Sequence, residues 1–155
     1  MHLIGDGGHA RVVREVAADT GRDLSGFSFV AVGDNRARKL EAERMDGYWP
    51  TALIHPSAVI SPSAIIKSGS IVMAGVVVQA NAVVGIGCIL NTGCTVDHDC
   101  ILEDFVHIAP GAHLCGGVHV GEGALVGVGV GIEPGVVIPK WSVVKRERYT
   151  ICPMK

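Results

Sequence analysis

The chain has 155 residues, of which 18% are charged and 48% hydrophobic, and its formal net charge is −2. This composition excludes a disordered chain, and the charge provides no basic surface for nucleic acid. Gly, Pro, His and Asp interrupt every apolar stretch, so we expect no membrane insertion. The five cysteines contain no CxxC pair, which disfavours a zinc ribbon. Their odd number and the absence of a secretion signal before the first glycine turn favour reduced thiols and a cytoplasmic protein.

Residues 1–52 lack the repeat that follows them and are predicted to form a small β-α-β-α-β unit. Hydrophobic periodicity and glycine turns indicate the elements. In chain order these are a strand at 2–4, a helix at 10–19, a strand at 27–32, a helix from about 36 to 45, and a strand at 51–54 that enters the next domain.

A glycine turn joins the first predicted strand to the first predicted helix. Residues 5–10 read Gly-Asp-Gly-Gly-His-Ala, which has the GxGxxA form. Free N–H groups and the positive end of a helix dipole at such a turn favour a phosphate. A lone GxGxxA is a weak signal, so a plain tight turn is the alternative.

A six-residue repeat occupies the rest of the chain. From Ile54 to Val144 every sixth residue is Ile, Leu or Val, the residue three positions later is mostly Gly or Asn, and the residue four positions later is small. Three hexads make a triangular coil of 18 residues, so residues 18 apart stack at one strand spacing, roughly 4.8 Å. The sequence therefore predicts a mainly β fold, with a parallel β-helix of about five coils at 53–148 and a tail at 149–155.

The small column of the repeat contains Cys88, Cys94 and Cys100. Free cysteine is commonly buried, so these three are predicted to be core residues on three different faces.

His98 is predicted to lie at a turn of the β-helix, where Asp97 and Asp99 flank it. A histidine beside a carboxylate can take a proton near neutral pH, whereas the alternative is an ordinary polar turn residue. His107 is nine residues away, which is half a coil. The two histidines can therefore share a site only across an interface between subunits.

His107, His113 and His119 are spaced by six, which looks like a set of metal ligands. On a triangular coil the same spacing puts them on three different faces, so one subunit cannot gather them and we expect no metal site. His113 and His119 are predicted to be surface or interface residues.

The order of these parts resembles the bacterial sugar-nucleotide N-acetyltransferases, which are hexapeptide-repeat acyltransferases. Four segments carry the resemblance: residues 5–13, 32–35, 53–58, and the stretch from Asn91 through His98-Asp99 to His107. The resemblance implies a left-handed β-helix, a homotrimer with active sites between subunits, and acetyl-CoA as co-substrate. It also implies that residues 1–52 are a truncated Rossmann-like unit that binds a nucleotide-linked amino sugar, with a UDP-4-amino-4,6-dideoxy sugar favoured as the partner.

The resemblance assigns roles to single residues. His98 matches the general base and Asp99 its acidic neighbour, while the N–H of Gly116 matches the group that faces the thioester oxygen. Substrate-binding positions are Gly7, Gly8, His9, Gly33, Asp34, Asn35, Asn91 and His107. Cofactor-binding positions are His107, Gly116, Gly129 and Lys140, and Lys145 and Arg146 are further candidates for the CoA phosphates or a solvated end-cap.

This chain departs from the family pattern in two places. The connection at 20–26 is short and no Asp-Asp pair follows the second strand, which affects the nucleotide contacts. The tail at 150–155 differs from the family's closing Gly-x-Pro-Ala-Lys, which affects the contacts to the adenine end of CoA.

The predicted function is an acetyl-CoA-dependent N-acetyltransferase in which the amine attacks the thioester directly. One alternative is an O-acetyltransferase of a sugar or sialic acid. A second is a zinc-dependent, carbonic-anhydrase-like β-helix with inter-subunit histidines, and a third is a non-catalytic solenoid. The substitution His98→Ala distinguishes these hypotheses: an acetyltransferase should lose acetyl transfer and keep CoA binding, whereas a non-catalytic solenoid should tolerate the change.

Overall fold

A computed structural model describes residues 1–45 and 51–145, and the backbone of 151–153. The amino-terminal unit consists of β1 (His2–Ile4), α1 (Gly8–Asp19), β2 (Ser28–Val30) and α2 (Asn35–Glu43). A parallel β-solenoid of about five turns follows, which confirms the predicted mainly β fold. The predicted positions at 146–150, including Arg146, and at 154–155 lie outside the described residues.

Three parallel sheets form the faces of the solenoid. Face 1 consists of β3 (Leu53–Ile54), β6 (Ile71–Val72), β9 (Ile89–Leu90), β12 (His107–Ile108), β15 (Leu125–Val126) and β18 (Ser142–Val144). Face 2 consists of β4 (Val59–Ile60), β7 (Val77–Val78), β10 (Thr95–Val96), β13 (His113–Leu114) and β16 (Gly131–Ile132). Face 3 consists of β5 (Ile65–Ile66), β8 (Val83–Val84), β11 (Ile101–Leu102), β14 (His119–Val120) and β17 (Val137–Ile138). The backbone of β19 (Ile151–Pro153) pairs antiparallel with β18.

The strand register follows the repeat. Thr95 aligns with Val77 on one side and His113 on the other, so residues 18 apart are neighbours, as predicted. The aliphatic column and the small column both point inward, and Cys88, Cys94 and Cys100 are completely buried. Their predicted core role is confirmed.

The corners of the solenoid use left-handed backbone. Nine glycines of the turn column have positive φ, as a residue without a Cβ allows at little cost. Four non-glycine residues adopt the same conformation: Asn81, Asp99, Phe105 and Trp141. Each of them occupies the same position of the hexad, so the fold imposes this conformation even where the sequence does not offer glycine.

The amino-terminal unit contains a two-stranded parallel sheet in which His2 of β1 aligns with Ser28 of β2. The strand predicted at 51–54 appears as β3, which pairs with β6 of face 1. The described unit is therefore β-α-β-α, because the third strand contributes to the solenoid. Its Rossmann-like character and the left-handed winding of the coils stay predictions from the resemblance.

Helix α1 packs against face 1. Its Ala10, Val13, Val16 and Ala17 are buried in one cluster with the outward side chains of Leu53, Ile71 and Ile89. This apolar contact removes face 1 of the early coils from solvent and holds the glycine turn beside the solenoid. Neither α1 nor α2, the helices of the described residues, is long and apolar enough to cross a membrane.

Two valines of one coil test whether the inward column stabilises the solenoid. Val126 is 0% exposed and Val128 is 65% exposed. Val126→Ala should lower the free energy of unfolding by about 2 kcal/mol, because it removes two buried methyl groups and leaves a cavity. Val128→Ala is the matched control and should change it little. Urea denaturation at one protein concentration measures both, and equal losses would contradict the assigned register.

Candidate active site

His98 lies in the corner between β10 of face 2 and β11 of face 3. Its Nδ1 is 2.8 Å from Oδ2 of Asp99, whose backbone is left-handed with φ of 59°. The His98 N–H donates to Oδ1 of Asp97 at 2.7 Å. Asn81, one coil earlier, donates its side-chain N–H to Oδ1 of Asp99 at 3.2 Å. The carboxylate of Asp99 is thus held from two sides and aimed at the imidazole.

The contact with Asp99 sets the state of the His98 ring. A carboxylate beside Nδ1 favours the proton there, which leaves the lone pair of the neutral ring on Nε2. The hydrogen bond to Asp99, and next the charge of Asp97, raise the pKa of His98 above its ordinary value. The hydrogen bonds from His98 and Asn81 lower the pKa of Asp99. Nε2 of this exposed ring can therefore accept a proton near neutral pH.

Gly116 lies directly against the His98 ring, one coil further along. A Cβ at Gly116 would be 2.6 Å from both Cε1 and Nε2 of His98. The next residue, Gly117, donates its N–H to the His98 carbonyl at 2.9 Å. Within residues 1–45 and 51–145, no backbone hydrogen bond uses the Gly116 N–H. That N–H is therefore open to an oxyanion beside the proton acceptor.

A second cluster joins the amino-terminal unit to face 1. His107 on β12 accepts at Nε2 from the side-chain N–H of Asn91 at 3.1 Å, and Oδ1 of Asn91 accepts from the backbone N–H of Thr92 at 2.8 Å. The backbone of Gly33 hydrogen-bonds His107 as well. The ring of His9 has its centroid 6.4 Å from that of His107. Four predicted substrate positions, distant in sequence, are thus brought together.

Both rings of this second cluster are held neutral. Burial, then the charges of Arg38 and His9, lower the pKa of His107 to about 3. Burial, then the charge of Arg38, lower the pKa of His9 to about 4. Nε2 of His9 is buried and has no hydrogen-bond partner among the described residues. His9 lies in the first turn of α1, directly after the glycine turn of Gly7 and Gly8.

Asp34 and Asn35 occupy structural positions at the start of α2. Oδ1 of Asp34 accepts from the N–H of Ala37 at 2.8 Å, which caps the helix. Asn35 is 4% exposed, and its side-chain amide donates to the carbonyls of Gly123 and Ala124. The Asn35 amide is therefore used to attach α2 to the solenoid.

Of the four predicted cofactor residues, His107 lies on face 1, and the other three lie at three different corners of one chain. Gly116 is at the His98 corner between faces 2 and 3. Gly129 follows β15 at the corner between faces 1 and 2, where its N–H donates to the carbonyl of Pro110. Lys140 follows β17 at the corner between faces 3 and 1. One subunit does not bring these residues together.

The three histidines at hexad spacing are separated as the repeat predicts. His107, His113 and His119 begin β12, β13 and β14 on faces 1, 2 and 3. His113 contacts Thr95 at 3.0 Å, and His119 contacts Glu103 at 2.8 Å. In the part of the chain that the structure describes, no group of three or more His, Cys, Asp or Glu is arranged to hold a metal ion.

Arg38 has a role in this region that sequence reasoning missed. It is 1% exposed and hydrogen-bonds both the solenoid and the turn before α2. The buried residues of α2 are Asn35, Arg38 and Ala42, which is the spacing of an inward stripe. A charged residue on that stripe is the signal that was available in the sequence.

No protein-family model and no curated protein matches the chain. The acetyltransferase domain of PglB from Neisseria gonorrhoeae, solved with acetyl coenzyme A, is 38% identical with a TM-score of 0.88, over 99% of this chain and 91% of that one. PerB from Caulobacter crescentus, solved with CoA and GDP-perosamine, is 40% identical with a TM-score of 0.84, over 91% of this chain and 83% of that one. WeeI from Acinetobacter baumannii, at 20% identity and a TM-score of 0.64, shares the fold.

These similarities show the family. The chain belongs to the bacterial sugar N-acetyltransferases of the hexapeptide-repeat family, as its motifs predicted, and it is an acetyltransferase.

The contact between Gly116 and His98 can be tested by adding one methyl group. Gly116→Ala should displace the ring, so the pKa of His98 measured by NMR titration should move down toward its ordinary value as the Asp99 contact weakens. The ring is exposed and can swing away, so the free energy of unfolding should stay within about 0.5 kcal/mol of wild type.

Gly131→Ala is the matched control, because nothing lies within 4 Å of the Cβ it would add. An unchanged His98 pKa in Gly116→Ala would show that the ring does not depend on this glycine.

Proposed function

We propose that this protein transfers the acetyl group of acetyl-CoA to the amino group of a nucleotide-linked amino sugar. The observation that carries the proposal is the His98–Asp99 pair lying against Gly116, which combines a proton acceptor with an open N–H donor. The bound acetyl coenzyme A in PglB, and the CoA and GDP-perosamine in PerB, support this pair of substrates.

The reaction follows from these groups. The neutral amine of the sugar attacks the thioester carbonyl carbon, and Nε2 of His98 takes the proton that the nitrogen loses as the C–N bond forms. The carbonyl oxygen becomes an oxyanion that accepts from the Gly116 N–H. Collapse of the tetrahedral intermediate breaks the C–S bond, and His98 returns its proton to the departing sulfur. No covalent enzyme intermediate is needed.

Asp99 keeps the His98 ring in the productive tautomer. Its carboxylate holds the proton on Nδ1 and stabilises the imidazolium that forms during attack. The base is therefore ready at Nε2, on the side of the ring that faces Gly116.

The nucleotide end of the sugar is proposed to bind at the turns of the amino-terminal unit. Gly7, Gly8 and His9 present the N-terminus of α1, where backbone N–H groups and the helix dipole favour phosphate. Gly33 and Asp34 lie at the adjoining turn, with Asn35 behind it as an anchor. We favour a UDP-linked 4-amino-4,6-dideoxy sugar. A GDP-linked amino sugar is the second candidate, because PerB was solved with GDP-perosamine.

A complete site is proposed to need a second subunit of a homotrimer. His98 is at the corner of faces 2 and 3, whereas Asn91 and His107 belong to face 1 and its corner, so these residues meet only at a seam between copies. Ile65, Ile101 and Val137 support such a seam, because they alternate with Val83 and His119 in the outward column of face 3 and are about half exposed or more. Gly129 and Lys140 are proposed to contact CoA along the seam.

The test of the proposed base is His98→Ala. Acetyl transfer should fall by about 10²–10⁴-fold, as expected for loss of a general base, while acetyl-CoA binding measured by calorimetry is kept. The assay follows free thiol release with acetyl-CoA and a panel of UDP-, GDP- and dTDP-linked amino sugars.

His113→Ala is the control. Among the described residues, the side chain of this exposed histidine hydrogen-bonds only Thr95. If His98→Ala transfers acetyl groups at the wild-type rate, His98 is not the general base. No transfer by the wild-type protein with any sugar of the panel would overturn the proposed substrate class.

The pH dependence of kcat/KM tests the role of Asp99. The base must be unprotonated, and the pKa of His98 is raised, so activity should fall as the pH drops through a value above the ordinary 6.5. Asp99→Asn removes the largest cause of that shift. Its acidic limb should move to lower pH, and its plateau rate should fall by about 10²-fold or more, because the ring loses its tautomer control.

Asp97→Asn provides the comparison. Asp97 is the second cause of the raised pKa of His98 but does not contact Nδ1, so its loss should move the limb less and keep the plateau. If the limb of Asp99→Asn stays where it is in the wild type, His98 is not the group that titrates.

A further inference from the structure

Arg38 is a buried cation that the proposed chemistry does not use. It is 1% exposed, in the middle of α2, and burial lowers the pKa of its guanidinium only to about 10, so it stays charged. Two of its hydrogen bonds reach the solenoid. Nε donates to the carbonyl of Gly87 at 2.8 Å, and Nη2 donates to the carbonyl of Phe105 at 2.7 Å.

The other donors of Arg38 face its own unit. Nη1 donates to the carbonyls of Val32 and Gly33 at 3.2 and 3.3 Å, and Nη2 donates to Oδ1 of Asn35 at 2.8 Å. A guanidinium has five N–H groups in a planar fork, and here five acceptors surround it. A lysine ammonium could not span both sets, because it has three donors at one point.

The turn that Arg38 holds is the one that contacts the second histidine cluster. Gly33 hydrogen-bonds His107 through its backbone, and a Cβ on Gly33 would be 3.8 Å from the Cβ of His9. The contacts therefore run from the solenoid corner through Arg38 and the Gly33 carbonyl to His107, and from there to Asn91 at 3.1 Å.

Attachment of α2 to the solenoid does not itself require this buried charge. Asn35 donates to the carbonyls of Gly123 and Ala124, and Lys39 forms an ion pair with Glu122 at 2.6 Å. The Arg36 guanidinium lies 4.7 Å from the centre of the Trp141 ring. A buried cation is costly unless fully hydrogen-bonded. Arg38 differs from these residues because it also donates hydrogen bonds to the carbonyls of the turn at Val32 and Gly33.

We infer that Arg38 is a positioning residue for the nucleotide-linked substrate: it ties the turn at Val32–Gly33 to the solenoid corner at Gly87 and Phe105 and so fixes Gly33 against His107. The inference rests on the proposed function. It assigns Arg38 to the sugar-nucleotide half of the site and leaves the His98–Gly116 corner, where the thioester is proposed to lie, independent of it.

The test compares two KM values in the full-length protein. In Arg38→Gln, the kcat/KM for the nucleotide-linked amino sugar should fall by up to about 100-fold, mainly through KM, as misplaced binding groups can cause. The KM for acetyl-CoA should stay at the wild-type value. Arg38→Lys keeps the charge but cannot hold both sets of carbonyls, so its KM for the sugar should also rise.

Lys39→Met is the matched control on the same helix. It removes the ion pair with Glu122 and touches neither the turn at Val32–Gly33 nor His107. It should lower the melting temperature and leave both KM values unchanged. Calorimetric binding of acetyl-CoA shows that each variant is folded.

Three results would overturn the inference. These are a parallel rise of both KM values in Arg38→Gln, the same kinetic pattern in Lys39→Met, or a wild-type KM for the sugar in Arg38→Lys. The KM of Arg38→Lys for the sugar tests the inference even if Arg38→Gln does not fold. Failure of the proposed function is distinct, because it would appear as a wild-type protein that acetylates none of the sugars.

Discussion

The stacking of residues 18 positions apart is the constraint on which the solenoid and the corner of His98 and Gly116 depend. It aligns each strand with its neighbours in the next coil and brings the turns into columns, so a residue's neighbours are set by its place in the repeat. Space in a column is limited. The Phe105 and Trp141 rings lie where a Cβ on Gly87 or Gly123 would be, and the His98 ring lies in the same way against Gly116. Large side chains in the columns therefore depend on glycines one coil away.

The same scaffold holds histidines in opposite electrostatic states. His98 is exposed beside carboxylates, which raise its pKa, whereas burial and a nearby cation lower the pKa of His107 and of His9. Groups whose surroundings push their pKa values apart are suited to different roles at one pH. An exposed ring that can take a proton suits acyl transfer. Neutral buried rings suit the recognition of a polar substrate without adding charge.

The junction between the two units combines apolar packing with buried polar contacts. Apolar contacts from α1 cover face 1 and Ala42 of α2 packs in one cluster with Phe105, while Asn35, Arg38 and Lys39 of α2 bind carbonyls and a carboxylate of the solenoid. Hydrogen bonds of fixed direction define an orientation more tightly than apolar area does, because they weaken steeply when misaligned. Such a junction suits a unit whose turns must meet the solenoid at set distances.

The sequence by itself determined the repeat and most of its consequences. Periodicity of six predicted the solenoid, the inward cysteines and the separation of His107, His113 and His119 onto three faces, because local spacing is converted directly into position along a coil. The family motifs singled out His98 and Asp99 as candidates, and these two residues are adjacent in sequence. They also marked Gly116, which the 18-residue period places beside His98.

Only the tertiary structure decided how the amino-terminal unit meets the solenoid. That contact joins residues far apart in the chain, such as Asn35 with Gly123 and Arg38 with Gly87, and no period relates them. In the structure the strand at 53–54 pairs with face 1 of the solenoid. The Asn35 amide donates to a carbonyl of the solenoid, and Arg38 is buried at the contact. Long-range packing of two different elements depends on surface shape and hydrogen-bond geometry, which a one-dimensional pattern does not contain.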